Sequence, residues 1–461
     1  MSLDPHIFRA YDIRGRAGTQ LTEETCLLIG KGFGSELRKR YGMEHPRVIV
    51  GRDARTHSPS FEAALIEGLV SSGCHVLTMG QTPSPLNYFT ICAGGLDGGL
   101  HITASHNPGH DNGVKLQMRN AEAFCGEDLQ LLYKKIVQLD FLSGAGKSEP
   151  FDAITPYVTH LTSMFQDVGQ DLSVVVDSGN GVAGPVYTDV LEKIGCAVTG
   201  LFIEPDGTFP NHPADPSKHD TLKDLQHTVK EIHAHVGLAF DGDGDRLGLV
   251  DEQGVIRTAD DILLLLAKDH LQRNPGSPVI FTVSNSGVLE TEIAAWGGKP
   301  IMCKVGHSFV EHAMHDYHAK LGGEQSGHFF CGEDYYLFDD ALVAALRVLK
   351  IVKDSGTTLS ALCEKFPKVY QSPERRPYCP DAEKTRIVQA ITEHFTKSYD
   401  VNTLDGVRID FGEGAWAGIR QSNTSPCLSL CLEARSPEKL LEIEEIVLEH
   451  MELYPEVNFE K

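Results

Sequence analysis

Short apolar, β-branched runs end in polar turns at three places along the chain: residues 48–53, 174–179 and 279–284. A helical pattern follows each one. After the first, Phe61, Ala64, Leu65, Gly68 and Leu69 recur at helical spacing, and the matching stretches are 186–194 and 288–295. Each predicted helix ends at glycine, at Gly73, Gly195 and Gly297-Gly298, where a left-handed turn is least costly. A second apolar run follows each time, at 74–79, 196–202 and 300–305. The unit is strand–helix–strand, repeated three times. Such units predict parallel strand pairs joined by right-handed crossovers.

Later in each copy an apolar segment ends in a polar motif. Residues 100–102 lead to TASHNP at 103–108, 236–240 to DGDGDR at 241–246, and 318–321 to GGEQSGH at 322–328. In open α/β sheets, ligands gather beyond the carboxyl ends of strands. Three equivalent loops are therefore expected to face one shared cleft. Linkers are expected at 143–147 and 251–261, a helix over 340–353, and a proline-rich connection at 371–380. The last ninety or so residues read differently, with strands at 407–411, 416–420 and 428–432 and an amphipathic helix at 437–454. The predicted fold class is α/β. Three related α/β domains with mixed, largely parallel sheets (1–147, 148–252, 253–367) and a smaller C-terminal α+β domain (368–461) surround one central cleft.

Composition narrows the function classes. A chain of 461 residues suits three or four domains, and 41% hydrophobic with 23% charged residues is ordinary for a globular enzyme. The longest apolar run of note, 262–267, is far shorter than the roughly 20 residues of a spanning helix. The N-terminus lacks the basic and apolar regions of a secretory signal, so a cytoplasmic location is expected. Eleven scattered cysteines without a CxxC pair read as reduced thiols. A net charge of −23 disfavours nucleic acid and anionic membranes as partners, and no obligate protein partner is evident. A phosphorylated substrate would need cations concentrated locally.

The loops carry the chemistry, each with a plainer alternative. Ser105 sits in a turn-prone stretch, and a plain surface turn is one reading. A serine–histidine triad is not expected, because adjacent side chains do not naturally face each other and no G-x-S-x-G is present. A hydroxyl here could instead carry phosphate, held by backbone N–H groups and cations. Asp241, Asp243 and Asp245 alternate with glycines, as a loop wrapping a hard divalent cation would. A calcium EF-hand places Glu252 at its twelfth position, but Arg246 falls where glycine is required, and the flanks read as strands. A solvated acidic turn is the remaining alternative. Arg246 could balance the carboxylates or hold a phosphate oxygen. Glu324, Ser326 and His328 share a glycine-flanked loop that is either merely polar or able to clamp sugar hydroxyls. Arg420-Gln421-Ser422-Asn423-Thr424 suits phosphate, or a capped turn equally well. The spacing of His101, His106 and His110 fits no zinc pattern, and His233 and His235 read as a strand or helix edge.

Together the motifs resemble the α-D-phosphohexomutase superfamily, most closely its bacterial phosphomannomutase/phosphoglucomutase branch. FRAYDIRG at 8–15, TASHNP, DGDGDR, GHSF at 306–309, GGEQSGH and RQSNTSP all occur in the family's order over almost the whole chain. The resemblance implies a phosphoserine at Ser105. It implies Mg2+ held by Asp241, Asp243 and Asp245 with a phosphoserine oxygen. Glu324 and Ser326 would contact sugar hydroxyls, with His307 and His328 nearby. Arg420, Ser422, Asn423 and Thr424 would hold the non-reacting phosphate. Tyr11, Arg14 and Lys115 fall at active-site positions, with Lys115 as general acid/base and Arg14 assisting. The implied reaction interconverts hexose 1-phosphate and hexose 6-phosphate, of mannose or glucose, through a hexose 1,6-bisphosphate. Some relatives carry a lysine where Ser284 stands here. A phosphoglucosamine mutase and a catalytically silent sugar-phosphate-binding protein are the rival readings. The YDIRG and SNT wording favours mannose and glucose phosphates over glucosamine phosphate.

Overall fold

The computed structural model describes residues 3–422 and 425–459. It forms two compact units. One runs from the N-terminus to Leu266 and takes in Ser326–Leu362; the other holds Ala267–Gln325 and the chain from Cys363 onward.

The first sheet contains β1 (Ile13–Arg16), β2 (Arg47–Arg52), β3 (His75–Gln81), β4 (Gly98–Ile102), β5 (Asp111–Gln117) and β6 (Lys147–Pro150), in the order β1-β5-β4-β2-β3-β6. β2 lies parallel to β3 and β4, and β3 to β6, whereas β5 returns antiparallel between β4 and β1. Every residue of β4 is buried, as expected for a strand covered on both faces. The second sheet repeats the plan. It holds β7 (Ser173–Asp177), β8 (Ala197–Leu201), β9 (Val236–Phe240), β10 (Leu247–Asp251) and β11 (Ile256–Arg257). β7 is parallel to β8 and β9, and β10 runs antiparallel to β9 and β11.

In the second unit, β12 (Pro278–Thr282) pairs in parallel with β13 (Lys299–Cys303) and β14 (Leu321–Gly323). The third copy's short β15 (Phe329–Cys331) and its helix Ala341–Ser355 belong to the first unit. Each copy thus has a central strand flanked in parallel by the two that follow it. The Ser105, Asp241 and Glu324 motifs follow the equivalent strands β4, β9 and β14. His318, expected in the strand before the third motif, instead sits at φ 53 beyond helix His307–Asp316. Its left-handed backbone ends that helix, and the strand begins only at Leu321.

The helix Glu23–Tyr41 shows why local sequence suffices for much of this. Thr22 caps it by accepting from the Thr25 N–H, Glu23 and Glu24 open it, Arg38, Lys39 and Arg40 close it, and Gly42 stops it at φ 62. It packs on helix Ser58–Ser71 where Gly30 meets Gly68; a Cβ on Gly30 would stand 2.3 Å from the Leu65 carbonyl.

The C-terminal domain is an antiparallel sheet of β16 (Tyr370–Gln371), β17 (Asp400–Asn402), β18 (Val407–Gly412), β19 (Ala415–Gln421) and β20 (Leu428–Ala434), in the order β16-β20-β19-β18-β17. Helices Asp381–Phe395 and Pro437–Met451 supply its core through Ile387, Ile391, Ile443 and Val447. Two expected connections are more ordered than their composition suggested. Residues 143–147 donate from Gly144 and Gly146 to the Ser71 and Val70 carbonyls, then enter β6 at the edge of the first sheet. The proline-rich stretch runs along β20, where Arg375 and Leu430 exchange backbone hydrogen bonds. None of the eleven cysteines forms a disulfide. Among the described residues no helix is long and apolar enough to cross a membrane.

One buried carboxylate marks the third copy's helix. Asp340 caps Ala341–Ser355 by accepting from the Val343 N–H, and it also accepts from the Tyr157 and Tyr335 hydroxyls. Burial pushes its pKa up to about 6. A carboxyl that titrates higher in the folded than in the unfolded chain contributes stability at low pH that is lost as pH rises through the folded value. The loss is roughly 3 kcal/mol across pH 4–6. Asp340→Asn should therefore gain stability relative to the wild type over that interval. Urea unfolding of both proteins at several pH values tests this, and a difference that does not change with pH would contradict it.

Candidate active site

The tip of the first motif is strained by design of its partners. Ser105 has φ 50, a left-handed conformation costing a non-glycine residue about 1–2 kcal/mol. Its N–H donates to Thr103 Oγ1 (2.8 Å), and its carbonyl accepts from the buried Arg55 (2.8 Å). Its side chain is thereby aimed into the interior, where Ser105 Oγ donates to Asp241 Oδ2 at 2.7 Å. The two motifs pack closely: a Cβ on Gly242 would stand 2.6 Å from the Ser105 carbonyl.

The left-handed turn also corrects an expectation. Ser105 Oγ lies 3.2 Å from His106 Nδ1, so these neighbouring side chains do meet. His106 is nevertheless held neutral, because burial and the nearby Arg246 and Arg14 charges depress its pKa well below the usual value.

Asp241, Asp243 and Asp245 are fully buried, and carboxylate oxygens of all three lie within 4.8 Å of one another. The loop is a tight turn in which Asp241 Oδ1 accepts from the N–H groups of Gly244, Asp245 and Arg246 at 3.1–3.2 Å. Gly244 adopts φ 79, which a side chain would oppose. The flanks are β9 and β10, so the EF-hand alternative is excluded by structure. Asp243 Oδ2 accepts from Ser84 Oγ (2.6 Å) and Lys115 Nζ (2.7 Å), and Lys115 also pairs with Asp245. Lys115 is only 3% exposed; β5 carries it, opposite His101 of β4.

The titration pattern reports crowded negative charge. Burial and the charges of Asp245 and Asp243 push the Asp241 carboxyl well above its usual value. Burial also opposes ionisation of Asp245, but Lys115 and His328 hold its pKa well below normal. Burial disfavours the Lys115 ammonium, yet Asp243 and Asp245 raise its pKa well above normal. Asp243 Oδ1 is buried without a hydrogen-bond partner among the described residues. An oxygen-only donor set, an orphaned carboxylate oxygen and a lysine drawn into the cluster together fit a hard divalent cation.

Two arginines border this cluster. Arg14 in β1 pairs with Asp12 (2.7 Å) and donates to the Ala104 carbonyl and Asn107 Oδ1 at 3.2 Å. Arg246 Nε stands 3.9 Å from Asp241 Oδ2 and has no hydrogen-bond partner among the described residues. Tyr11 is half-buried just before β1. The end of the third motif joins the same unit: Leu247 donates to the Gly327 carbonyl, and His328 Nε2 lies 3.4 Å from Asp245 Oδ1. Ser326 Oγ and His328 Nδ1 are 2.9 Å apart. Asp339 stands 3.8 Å from His328, its pKa pushed up to about 7 by burial and by Asp245. His110 is a surface residue, and His101 is buried and neutral.

The second unit holds the other predicted residues. Glu324, nearly fully buried, accepts from the Gly306 N–H at 2.7 Å, and His307 opens the helix that follows. Arg420 lies in β19 and stands 3.8 Å from Glu374. Arg376 donates to Ser422 Oγ (3.0 Å), and the buried Lys384 donates to the carbonyls of Ser422 and Ser425. Asn423 and Thr424 lie outside the described residues. Ser284 and Arg420 line one small cavity with Asp405 and Arg408. Sequence reasoning missed Arg55, Ser84, Asp339, Arg376 and Lys384. Only Arg55 had a visible signal, the GRDAR turn after β2.

Residues 5–143, 155–254 and 258–370 match phosphoglucomutase/phosphomannomutase alpha/beta/alpha domains I, II and III, and residues 378–450 match that family's C-terminal domain. The chain is 40% identical over 448 residues to a phosphomannomutase/phosphoglucomutase of Pseudomonas aeruginosa, covering 96% of this chain and 95% of that one. It is 37% identical over 442 residues to a phosphoglucomutase of Neisseria gonorrhoeae, covering 94% of each. A crystal structure of a phosphoglucomutase/phosphomannomutase family protein from Burkholderia thailandensis matches with a TM-score of 0.92 at 35% identity, over 99% of this chain and 100% of that one. An Aspergillus fumigatus N-acetylphosphoglucosamine mutase, solved with GlcNAc-6P and magnesium, shares the fold at a TM-score of 0.60 and 15% identity, over 96% of this chain and 95% of that one.

Proposed function

The chain belongs to the phosphoglucomutase/phosphomannomutase family and is an intramolecular phosphotransferase interconverting hexose 1-phosphate and hexose 6-phosphate; we propose that it does so through phosphate carried on Ser105. The observation that carries this reading is the 2.7 Å hydrogen bond joining the Ser105 hydroxyl to a buried cluster of three aspartates. A carrier oxygen and a cation cradle are thus adjacent.

Asp241, Asp243 and Asp245 would hold Mg2+, which when bound supplies positive charge to the phosphoryl oxygens. The protein's own groups do the rest. The phosphoserine Oγ–P bond breaks as an oxygen of the sugar, at C1 or C6, bonds to phosphorus. Lys115 gives a proton to Ser105 Oγ and takes one from the attacking hydroxyl, so charge balances. Its raised pKa makes it an acid first. Arg14 and Arg246 flank the transferring group and offset its charge, which matters most in a loose transition state. The hexose 1,6-bisphosphate then returns its other phosphate to Ser105. Glu324, Ser326, His307 and His328 are the proposed sugar contacts. Arg420 and Ser422, with Asn423 and Thr424, are the proposed holders of the phosphate that stays, and Tyr11 is a further substrate contact.

Incubation with Mg2+ and glucose 1,6-bisphosphate followed by peptide mass spectrometry tests the proposal. Phosphate is expected on the Ser105 peptide, and turnover is expected with mannose 1-phosphate and glucose 1-phosphate in preference to glucosamine 1-phosphate. An active enzyme whose Ser105 never carries phosphate would refute the mechanism.

A further inference from the structure

We propose that Arg55 is a positioning residue that builds the phosphoserine cradle from beneath, an inference that rests on the assignment of Ser105 as phosphate carrier. Its side chain is completely buried. A guanidinium has five N–H donors, and each is used here. NH1 donates to the carbonyls of Pro108 (2.6 Å) and Asp111 (3.1 Å), and NH2 to those of Ser105 (2.8 Å) and Asn107 (2.6 Å). Nε donates to Asp53 Oδ2 at 2.9 Å. Asp53 is fixed in turn by Ser58 Oγ (2.6 Å) and by the Arg55 N–H (3.0 Å). The Phe209 ring lies 5.2 Å over the guanidinium carbon and covers its face.

Four carbonyls of one short loop therefore turn toward a single cation. A trans peptide sends its N–H opposite to its carbonyl. With the Ser105 carbonyl drawn down onto Arg55, the His106 N–H is turned to the other side of that peptide. The same holds for the Gly109 N–H behind the Pro108 carbonyl. Arg55 thus imposes the polarity that an anion-binding loop needs and supplies the external restraint for Ser105 at φ 50. With every donor occupied, Arg55 has none left for a substrate, so it acts through the loop that carries Ser105.

Lysine cannot substitute. Its ammonium is a compact point donor and cannot span four carbonyls and a carboxylate. Arg55→Lys should still accept phosphate from glucose 1,6-bisphosphate. Its kcat per phosphorylated site should fall about 100-fold, the scale of a carrier misplaced by about 1 Å. KM for the hexose phosphate should stay within about threefold, because the groups that bind substrate are untouched. The phosphoserine 31P resonance should shift, since its N–H donors are disturbed. A purely architectural role would lower the active fraction but leave turnover per phosphorylated site and the 31P resonance unchanged, and that result would overturn the inference. Phe209→Leu, at a half-buried position, provides a milder arm should Arg55→Lys fail to fold. A several-fold loss of turnover per phosphorylated site is expected, and wild-type turnover with an unshifted 31P signal would count against Arg55. Ser105→Ala run in parallel separates the two failures. If Ser105→Ala stays active, the carrier assignment is wrong; if it is dead while Arg55→Lys turns over normally, only the role of Arg55 falls.

Discussion

Ser105→Ala should lose mutase turnover by about 10⁴-fold or more, the scale seen when a covalent carrier is deleted. The expectation rests on what the hydroxyl touches. Its oxygen donates to Asp241 at 2.7 Å and meets His106 at 3.2 Å, and the residue is only 1% exposed. No other hydroxyl is joined to the Asp241 end of the cluster, although Ser84 bonds Asp243 at 2.6 Å among the described residues. Ser84 opens helix Ser84–Gly94, and its hydroxyl donates to the Asp243 carboxylate. The fold should survive. Alanine tolerates the left-handed backbone about as poorly as serine does, so the change in stability is that of the two hydrogen bonds to Asp241 and His106, about 1–3 kcal/mol. The check is a coupled assay with Mg2+ and bisphosphate, alongside intact mass after incubation and a thermal melt. Retained turnover in a variant that melts normally would mean that phosphate passes directly between sugar molecules or through another residue.

The same loop shows how far the sequence could be read. The strand ends that carry Ser105 and Asp241 were legible because burial on both faces demands continuous apolar runs, and the turns that follow demand glycine and small polar residues; the third strand was misplaced because β14 is only Leu321–Gly323, with a single large apolar side chain. The three carboxylates were legible because their alternation with glycine is local. What remained hidden was non-local. The GRDAR turn marked the position of Arg55 but not its role, because its partners are backbone carbonyls 50 or more positions away, and any residue type supplies a carbonyl. Lys384 was hidden for the same reason, since it reaches the carbonyls of Ser422 and Ser425 from a helix with no marked motif. The Ser105–His106 contact was misjudged because extended neighbours point apart, and only the backbone at φ 50 reverses that. The resemblance supplied roles for Lys115 and Arg14 that spacing alone does not give. The β1–β5 ladder sets Arg14 opposite Gly113, two positions from Lys115, and only a folded sheet can show that.

Lys115→Met should act on catalysis and on stability at once, and the two effects can be separated by metal. In the wild type without metal, the Lys115 ammonium neutralises Asp243 and Asp245 inside the protein. Removing one partner of a buried ion pair costs about 3–5 kcal/mol because the remaining charge stays buried. Methionine keeps most of the side chain's length and apolar contacts, so the loss is chiefly electrostatic. In EDTA the variant should therefore melt well below the wild type. Saturating Mg2+ should restore more of its stability than it adds to the wild type, since a ligand that binds only the folded state stabilises it in proportion to its affinity, and the lysine no longer competes for the same carboxylates. Turnover should not recover with stability. Loss of the group proposed to move protons between Ser105 Oγ and the sugar hydroxyl should cost about 10²–10⁴-fold in kcat even at saturating Mg2+. Thermal melts in EDTA and across a Mg2+ titration, with kcat measured at the same points, distinguish the roles. Recovery of kcat in step with melting temperature would reduce Lys115 to a counter-ion. Indifference of the melting temperature to Mg2+ in both proteins would remove the aspartate cluster as the cation site.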